Sequence, residues 1–330
     1  MPRRLIYMTG EEFIKKILAG EKDFDGIKLE EGFNLSGHEG FNELQSYLKE
    51  RGFWDGVEDN PLIISNSKFS YLIAKGLFLP FVEGRNSCFE GANLEGANFS
   101  GANLEKANFK KAYLKGADLQ DANLMGANLE RAILTKACLL GAYLPGANLK
   151  RAILTRANLS FADFEGANLK RAILTRAYFE GANLKRAILT RANFDKAVLL
   201  ETYLLEANLE KVNFERAYLE EACLRRANLV GANFEETKLR KVDFIEANLE
   251  KVNFERAYLR EVTFNGANLR EAVFQEVKLS SVDMRGVKNL ETVVGLGPRS
   301  KLIVTPREEI ILIEKRLADI FGFRFPKSYS

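Results

Sequence analysis

Histidine and tryptophan each occur once in this 330-residue chain, cysteine three times, methionine four times and proline seven times. A single histidine, His38, leaves no second imidazole for a His-based metal cage, and no partner for a nucleophile is evident beside it. It lies in Ser36-Gly37-His38-Glu39-Gly40, which reads as a solvated loop. Three cysteines, Cys88, Cys138 and Cys223, do not make a disulfide framework. Apolar runs are short throughout, and none approaches the ~20 residues of a membrane-spanning helix. The opening Met-Pro-Arg-Arg-Leu-Ile-Tyr is too weakly apolar for a secretory leader, so a cytoplasmic location is the expectation. Charge of one sign is also missing: 48 Lys and Arg against 45 Asp and Glu give a formal +3, which excludes any argument from global charge. No phosphate loop, nucleophile elbow or dinucleotide fingerprint occurs. The chain is therefore expected to be no enzyme and to need no cofactor or metal.

What the sequence has in abundance is a repeat. From Phe89 to Met284 every fifth residue is Leu, Phe or Met, giving 40 consecutive five-residue units. Two positions before each centre stands a small residue, Ala at all 22 such positions from Ala92 to Ala197 and Ala, Thr or Val thereafter. The residue between them is often Asn. Alternation over three residues sends the small residue and the centre to one side and Asn to the other, as in a strand. A period of five fits neither a helix nor a long strand, so the remaining two residues must turn the chain. The result is a tube with one small and one large inward residue on each side.

Internal duplications count the sides. GANLERAILTKA at Gly126 recurs as GANLKRAILTRA at Gly146 and Gly166, and EANLEKVNFERAYL at Glu206 recurs unchanged at Glu246. Steps of twenty and forty preserve stacking if a coil holds twenty residues, which is four sides. A further copy at Gly181 is fifteen residues on and lands one face round.

This tandem A-[ND]-[LF]-x-x pattern resembles the pentapeptide-repeat family. The resemblance implies an all-β solenoid, a right-handed quadrilateral parallel β-helix; helical N- and C-terminal caps are expected from the flanking residues. It also implies roles like those of members that bind DNA gyrase by imitating duplex DNA through an acidic surface. At the usual inter-strand spacing ten coils would span roughly 50 Å.

The expected organisation has four parts. Residues 1–60 form an N-terminal cap with a degenerate coil (Phe24, Ile27, Leu29) and a short helical insertion over 42–49. Within it, Thr9 and Glu12 make a capping-box pattern before the amphipathic run Phe13, Ile14, Ile17, Leu18. Residues 61–86 read as an irregular entry coil, because Ala74 and Gly84 fill centre positions poorly. The regular β-helix occupies 87–288. Residues 289–330 are a linker and a helix from Thr305 to about Phe321, started by Thr305-Pro306-Arg307-Glu308. That helix carries Ile310, Ile313, Leu317, Ile320 and Phe321 on one apolar side, suited to capping the solenoid or to pairing with a second copy as a homodimer.

Function is expected on the surface. One column of turn residues reads Lys111, Arg131, Arg151, Arg171, Arg191 and Lys211, each twenty apart. The next reads Lys136, Arg156, Arg176, Lys196 and Arg216. Between them Ile133, Ile153 and Ile173 alternate with Thr135, Thr155 and Thr175. Acidic residues such as Asp118, Asp121, Glu201 and Glu221 gather on the other faces. The basic edge suits an acidic protein, nucleic acid or an anionic membrane. The opposing reading is a solvated Arg copied when whole coils were duplicated. A protein-interaction scaffold of unknown partner is the main expectation. A topoisomerase-directed DNA mimic and an electrostatic binder of nucleic acid or membrane are the alternatives.

Overall fold

The structure, a computed structural model, describes residues 5–54 and 61–295. It divides into two compact units, Met1–Tyr178 and Phe179–Ser330. Both are parallel β-solenoids built from the same local rule. Each five-residue step pairs its outward residue with the residue twenty on or back, as in Asn128↔Asn148↔Asn168 and Asn208↔Asn228↔Asn248. The chain then turns: Ala147 N–H donates to the Leu144 carbonyl at 3.1 Å across Pro145-Gly146, with Gly146 at φ +63°. That is a type II turn, with Pro and Gly at the positions its dihedrals favour. Four such turns make one twenty-residue coil.

The turn imposes a left-handed backbone at every corner. All residues at five-residue intervals from Asn66 to Gly286 have φ between 51° and 69°. Glycine adopts this freely, whereas a side chain with a Cβ costs about 1–2 kcal/mol. Lys, Arg, Glu, Asp, Asn, Ser and three aromatics (Tyr71, Phe81, Phe161) nonetheless occupy most corners. No Val, Ile or Thr does, in keeping with the larger penalty for β-branching.

In the first unit a strand β1 (Ile6–Met8) pairs parallel with β2 (Ile27–Leu29), Ile6 opposite Ile27. Between them runs helix α1 (Gly10–Leu18). Thr9 Oγ1 accepts from Glu12 N–H at 3.1 Å, the N-cap half of the capping box. Phe13, Ile14 and Ile17 are buried, with Phe13 against Phe24 and Phe69 at ring-centroid distances of 4.9 and 5.9 Å. Helix α1 thus packs its apolar side on the first coils. Lys28 next pairs with Lys68 rather than with a residue twenty on, because the chain leaves the coil for helix α2 (Phe41–Trp54). This helix is longer than the 42–49 expected, since Glu50 and Arg51 continue the helical backbone.

Residues 61–86 correct the expectation of an irregular entry coil. Ile63↔Glu83, Lys68↔Cys88, Ile73↔Asn93 and Phe78↔Asn98 keep the twenty-residue register, and corners 66 to 86 have the same left-handed φ. The backbone ladder does not depend on the centre's size, and neighbours fill the space a small centre leaves. A Cβ on Gly84 would lie 3.0 Å from Leu104 Cδ2 and 3.4 Å from Ile64 Cγ1. Ser67 and Ser87 stand at small positions and donate to the Phe24 and Gly84 carbonyls at 2.7 and 2.6 Å, so their burial costs no unpaired hydroxyl.

The second unit stacks rings. Phe194, Phe214, Phe234, Phe254 and Phe274 follow one another at centroid distances of 4.8–5.1 Å. All five are fully buried. This column is packed core. On an adjoining face the strands β3 (Tyr218–Glu220), β4 (Lys238–Arg240), β5 (Tyr258–Arg260) and β6 (Lys278–Ser280) form a parallel sheet in chain order. The buried hydroxyls of Thr202 and Thr237 donate to the Phe179 and Phe214 carbonyls at 2.9 and 3.0 Å. At Asn289, itself left-handed at φ +58°, one extra residue enters: Asn268 pairs with Lys288, but Val273 with Val294. The helix expected over 305–321, with Ile310, Ile313, Leu317, Ile320 and Phe321, lies outside the described residues.

Candidate interaction face

The first unit carries the most uniform part of the basic edge. Lys111, Arg131, Arg151 and Arg171 occupy one corner column, all at φ 58–60°. Lys136, Arg156 and Arg176 occupy the next, at φ 57–60°. The turn holds each Cα at an edge of the coil, where a long side chain projects to solvent, and all seven residues are exposed. Between the columns lie Tyr113, Ile133, Ile153 and Ile173, paired in register as Tyr113↔Ile133↔Ile153↔Ile173. Ile173 is 40% exposed, while Ile133 and Ile153 are half-buried between their neighbours. The backbone beneath is fully used: Ile153 N–H donates to the Ala132 carbonyl at 2.9 Å, and its own carbonyl accepts from Leu134 at 2.7 Å. What the face offers a partner is side chains alone.

Ion pairing differs from corner to corner. At several other corners and their neighbours, opposite charges stand one coil apart and neutralise each other. Lys75 and Lys115 flank Glu95 at 3.5 and 3.0 Å. Arg186 meets Glu206 at 2.9 Å, Arg226 meets Glu246 at 2.7 Å and Lys241 meets Glu221 at 2.7 Å. Arg240 pairs with Glu220, and Arg256 with Glu235. These contacts hold the carboxyls of Glu95, Glu206, Glu221 and Glu246 below the ordinary Glu value, chiefly through the hydrogen bond from the facing base. Among the described residues no carboxylate forms an ion pair with Lys111, Arg131, Arg151, Arg171, Lys136, Arg156 or Arg176. Like charges stacked about 5 Å apart repel by roughly 1 kcal/mol per pair even in water.

Of the remaining predicted edge residues, all in the second unit, Lys211 and Arg216 are ion-paired, whereas Arg191 and Lys196 have no ion pair among the described residues. Lys211 pairs with Glu210 at 3.3 Å, and Arg216 with Asp195 and Glu215 at 3.0 and 2.7 Å. Arg191 and Lys196 sit at left-handed corners there too.

Groups that would suggest chemistry are dispersed. Cys88, Cys138 and Cys223 are free, half-buried thiols. His38 Nδ1 accepts from Gly40 N–H at 3.1 Å and its ring lies 5.8 Å from that of Phe33, a turn-stabilising role. Among the described residues no group of three or more His, Cys, Asp or Glu is placed to hold a metal, and no helix is long and apolar enough to cross a membrane. A hydrophobic interior closed by backbone ladders, with the charged side chains of the described residues outside, defines a repeat solenoid.

Comparison with known families gives that solenoid its place. The model for pentapeptide repeats matches residues 87–124, 112–151, 152–191 and 187–226, and that for the pentapeptide repeat region matches 207–284. Together they span 87–284, and the chain belongs to the pentapeptide-repeat family. Among solved structures it is similar to HetL from the cyanobacterium Nostoc sp. strain PCC 7120, a pentapeptide repeat protein involved in heterocyst differentiation regulation. Identity there is 24%, over 69% of this chain and 92% of that one, with a TM-score of 0.30. QnrB1, a plasmid-mediated fluoroquinolone resistance protein, is 18% identical over 74% of this chain and 99% of its own, with a TM-score of 0.39. A pentapeptide repeat protein of the Arabidopsis thaliana thylakoid lumen is 33% identical over 31% of this chain and 68% of its own, with a TM-score of 0.18. No curated protein matches the chain.

Proposed function

We propose that this protein is a protein-binding scaffold that docks an acidic partner on the face bearing Ile133, Ile153 and Ile173. One observation carries the reading: the two flanking corner columns hold seven cations with no ion-paired carboxylate among the described residues, whereas Arg186, Arg226 and Lys241 at other corners each meet a glutamate one coil away. Duplication of whole coils explains why the columns are regular. It does not explain why these coils lack the alternation seen at Arg186–Glu206 and Arg226–Glu246. An acidic partner would relieve the repulsion and cover the isoleucines together. The reading predicts that Arg151→Glu/Arg171→Glu abolishes partner capture from native lysate while leaving the melting temperature within a few degrees. Capture unchanged by the double reversal would contradict it.

A second reading comes from family membership: binding of a type II topoisomerase by imitation of duplex DNA. That role asks for stacked, unneutralised carboxylates. Three acidic corners, Glu206, Glu221 and Glu246, instead have bases facing them, although Glu201, one coil from Glu221, has no ion pair among the described residues. A supercoiling assay with purified gyrase decides it: altered supercoiling at saturating protein supports this reading and an unchanged ladder removes it. Nucleic acid or an anionic membrane on the same basic face would instead show binding that falls steeply with salt.

A further inference from the structure

We infer that the partner element seated on this face is an acidic amphipathic α-helix lying along the Ile133–Ile153–Ile173 row; the inference rests on the reading of the face as a docking surface. Three features of the face select that element.

The first is the absence of free backbone. Ile133, Ile153 and Ile173 each donate to the coil before, at 2.9 Å, and the carbonyls of Ile133 and Ile153 accept from the centres Leu114 and Leu134. An incoming strand therefore has no ladder to join, and recognition by strand addition is closed on this face.

The second is width. Arg151 and Arg156 are the two corners of one side, five residues apart, so their Cα atoms are separated by at most ~17 Å. An α-helix with its side chains is about 10–12 Å across. Its diameter lies within that upper limit, so a helix laid over the row would bring carboxylates on both flanks within reach of the long Arg and Lys side chains.

The third is period. Successive isoleucines are one coil apart, ~4.8 Å along the stack, close to the ~5.4 Å rise of one helical turn. A stripe of apolar residues at i, i+4 and i+7 thus presents about one side chain per rung. From Tyr113 to Ile173 is three steps, or ~14 Å, which some ten helical residues cover. Glutamates beside such a stripe recur at nearly the spacing of the basic corners. A phosphate backbone would satisfy the corners and leave the isoleucines without a partner.

The test uses the full-length protein and a labelled designed peptide, with leucines at i, i+4, i+7 and i+11 flanked by glutamates. A peptide of identical composition with its leucines scattered, and a short DNA duplex, are the comparison probes. Ile153→Asn probes the apolar row without touching the core, since Asn93 already occupies the same outward column. Arg151→Glu/Arg156→Glu probes both flanks. The inference predicts that the ordered peptide gains helical circular dichroism on binding and binds about tenfold tighter than the scattered one. Each variant should weaken it by about tenfold or more. If both peptides bind alike and Ile153→Asn is silent while the charge reversal abolishes binding, the helix is overturned and acidic docking stands. If neither peptide binds and the duplex does, both readings fall.

Discussion

Every fifth residue from Asn66 to Gly286 turns the chain with a left-handed backbone, and this single requirement shapes the surface chemistry. Corners project side chains to solvent, so a long flexible cation or carboxylate is tolerated there, while a β-branched residue is not. Arg151→Val should therefore be measurably destabilising although it lies on the surface, because β-branching adds to the left-handed penalty the arginine already bears. Arg151→Gly should be neutral or slightly stabilising, and chemical melts of the two variants check the contrast. Equal effects would mean the corner is not under strain. The same geometry explains two aromatics: a Cβ on Gly91 or Gly101 would lie 2.5 or 2.4 Å from the ring of Tyr71 or Phe81, so each ring is laid over the glycine one coil on. The five-residue period announced a turn. The left-handed corner itself was visible only as the missing Val, Ile and Thr at those positions.

At the scale of the element, the core was the most legible part. Small and large inward positions alternate so strictly that burial follows the sequence pattern from Ala92 to Met284. The phenylalanine column illustrates the energetics. Phe234 lies between Phe214 at 4.8 Å and Phe254 at 5.1 Å and edge-on to Phe244 at 5.8 Å. Phe234→Ala should cost about 3–5 kcal/mol, read as a lowered urea midpoint, because rigid coils cannot close the hole. Residues 61–86 were misjudged for an opposite reason. Ala74 and Gly84 look like failed centres, yet the backbone ladder is indifferent to side-chain size and Leu104 fills the gap at Gly84. Helix α1 was readable from Thr9 and Glu12, whose cap the structure forms. Helix α2 was readable in existence and short in length.

For the molecule as a whole, charge pattern rather than net charge distinguishes one face from another. The columns of cations were legible as a twenty-residue period. Which of them lack a counter-charge was not, because pairing depends on side chains one coil away and on their rotamers. Alternating pairs also predict an acid limb. Glu206, Glu221 and Glu246 have folded pKa values lowered from 4.5 by the bases facing them, so their stabilising contribution is present above that value and lost as pH falls through the lower folded one. Melting temperature at low salt should be level from neutral pH to about 5 and fall at lower pH. Glu206→Gln/Glu246→Gln should shrink that fall, and a full acid limb in this variant would refute the assignment. Arg131, Arg151 and Arg171 have no such ion pair to lose among the described residues.

The most direct measurement compares two charge reversals of equal size in quantitative capture from native lysate: Arg151→Glu/Arg156→Glu on the unpaired face, and Arg226→Glu/Arg240→Glu where the cations are already paired. The account predicts that the first removes the principal partner and the second retains it. Loss of the partner in the second alone, or its retention in both, would contradict the claim that the face of Ile133, Ile153 and Ile173 is where this scaffold binds.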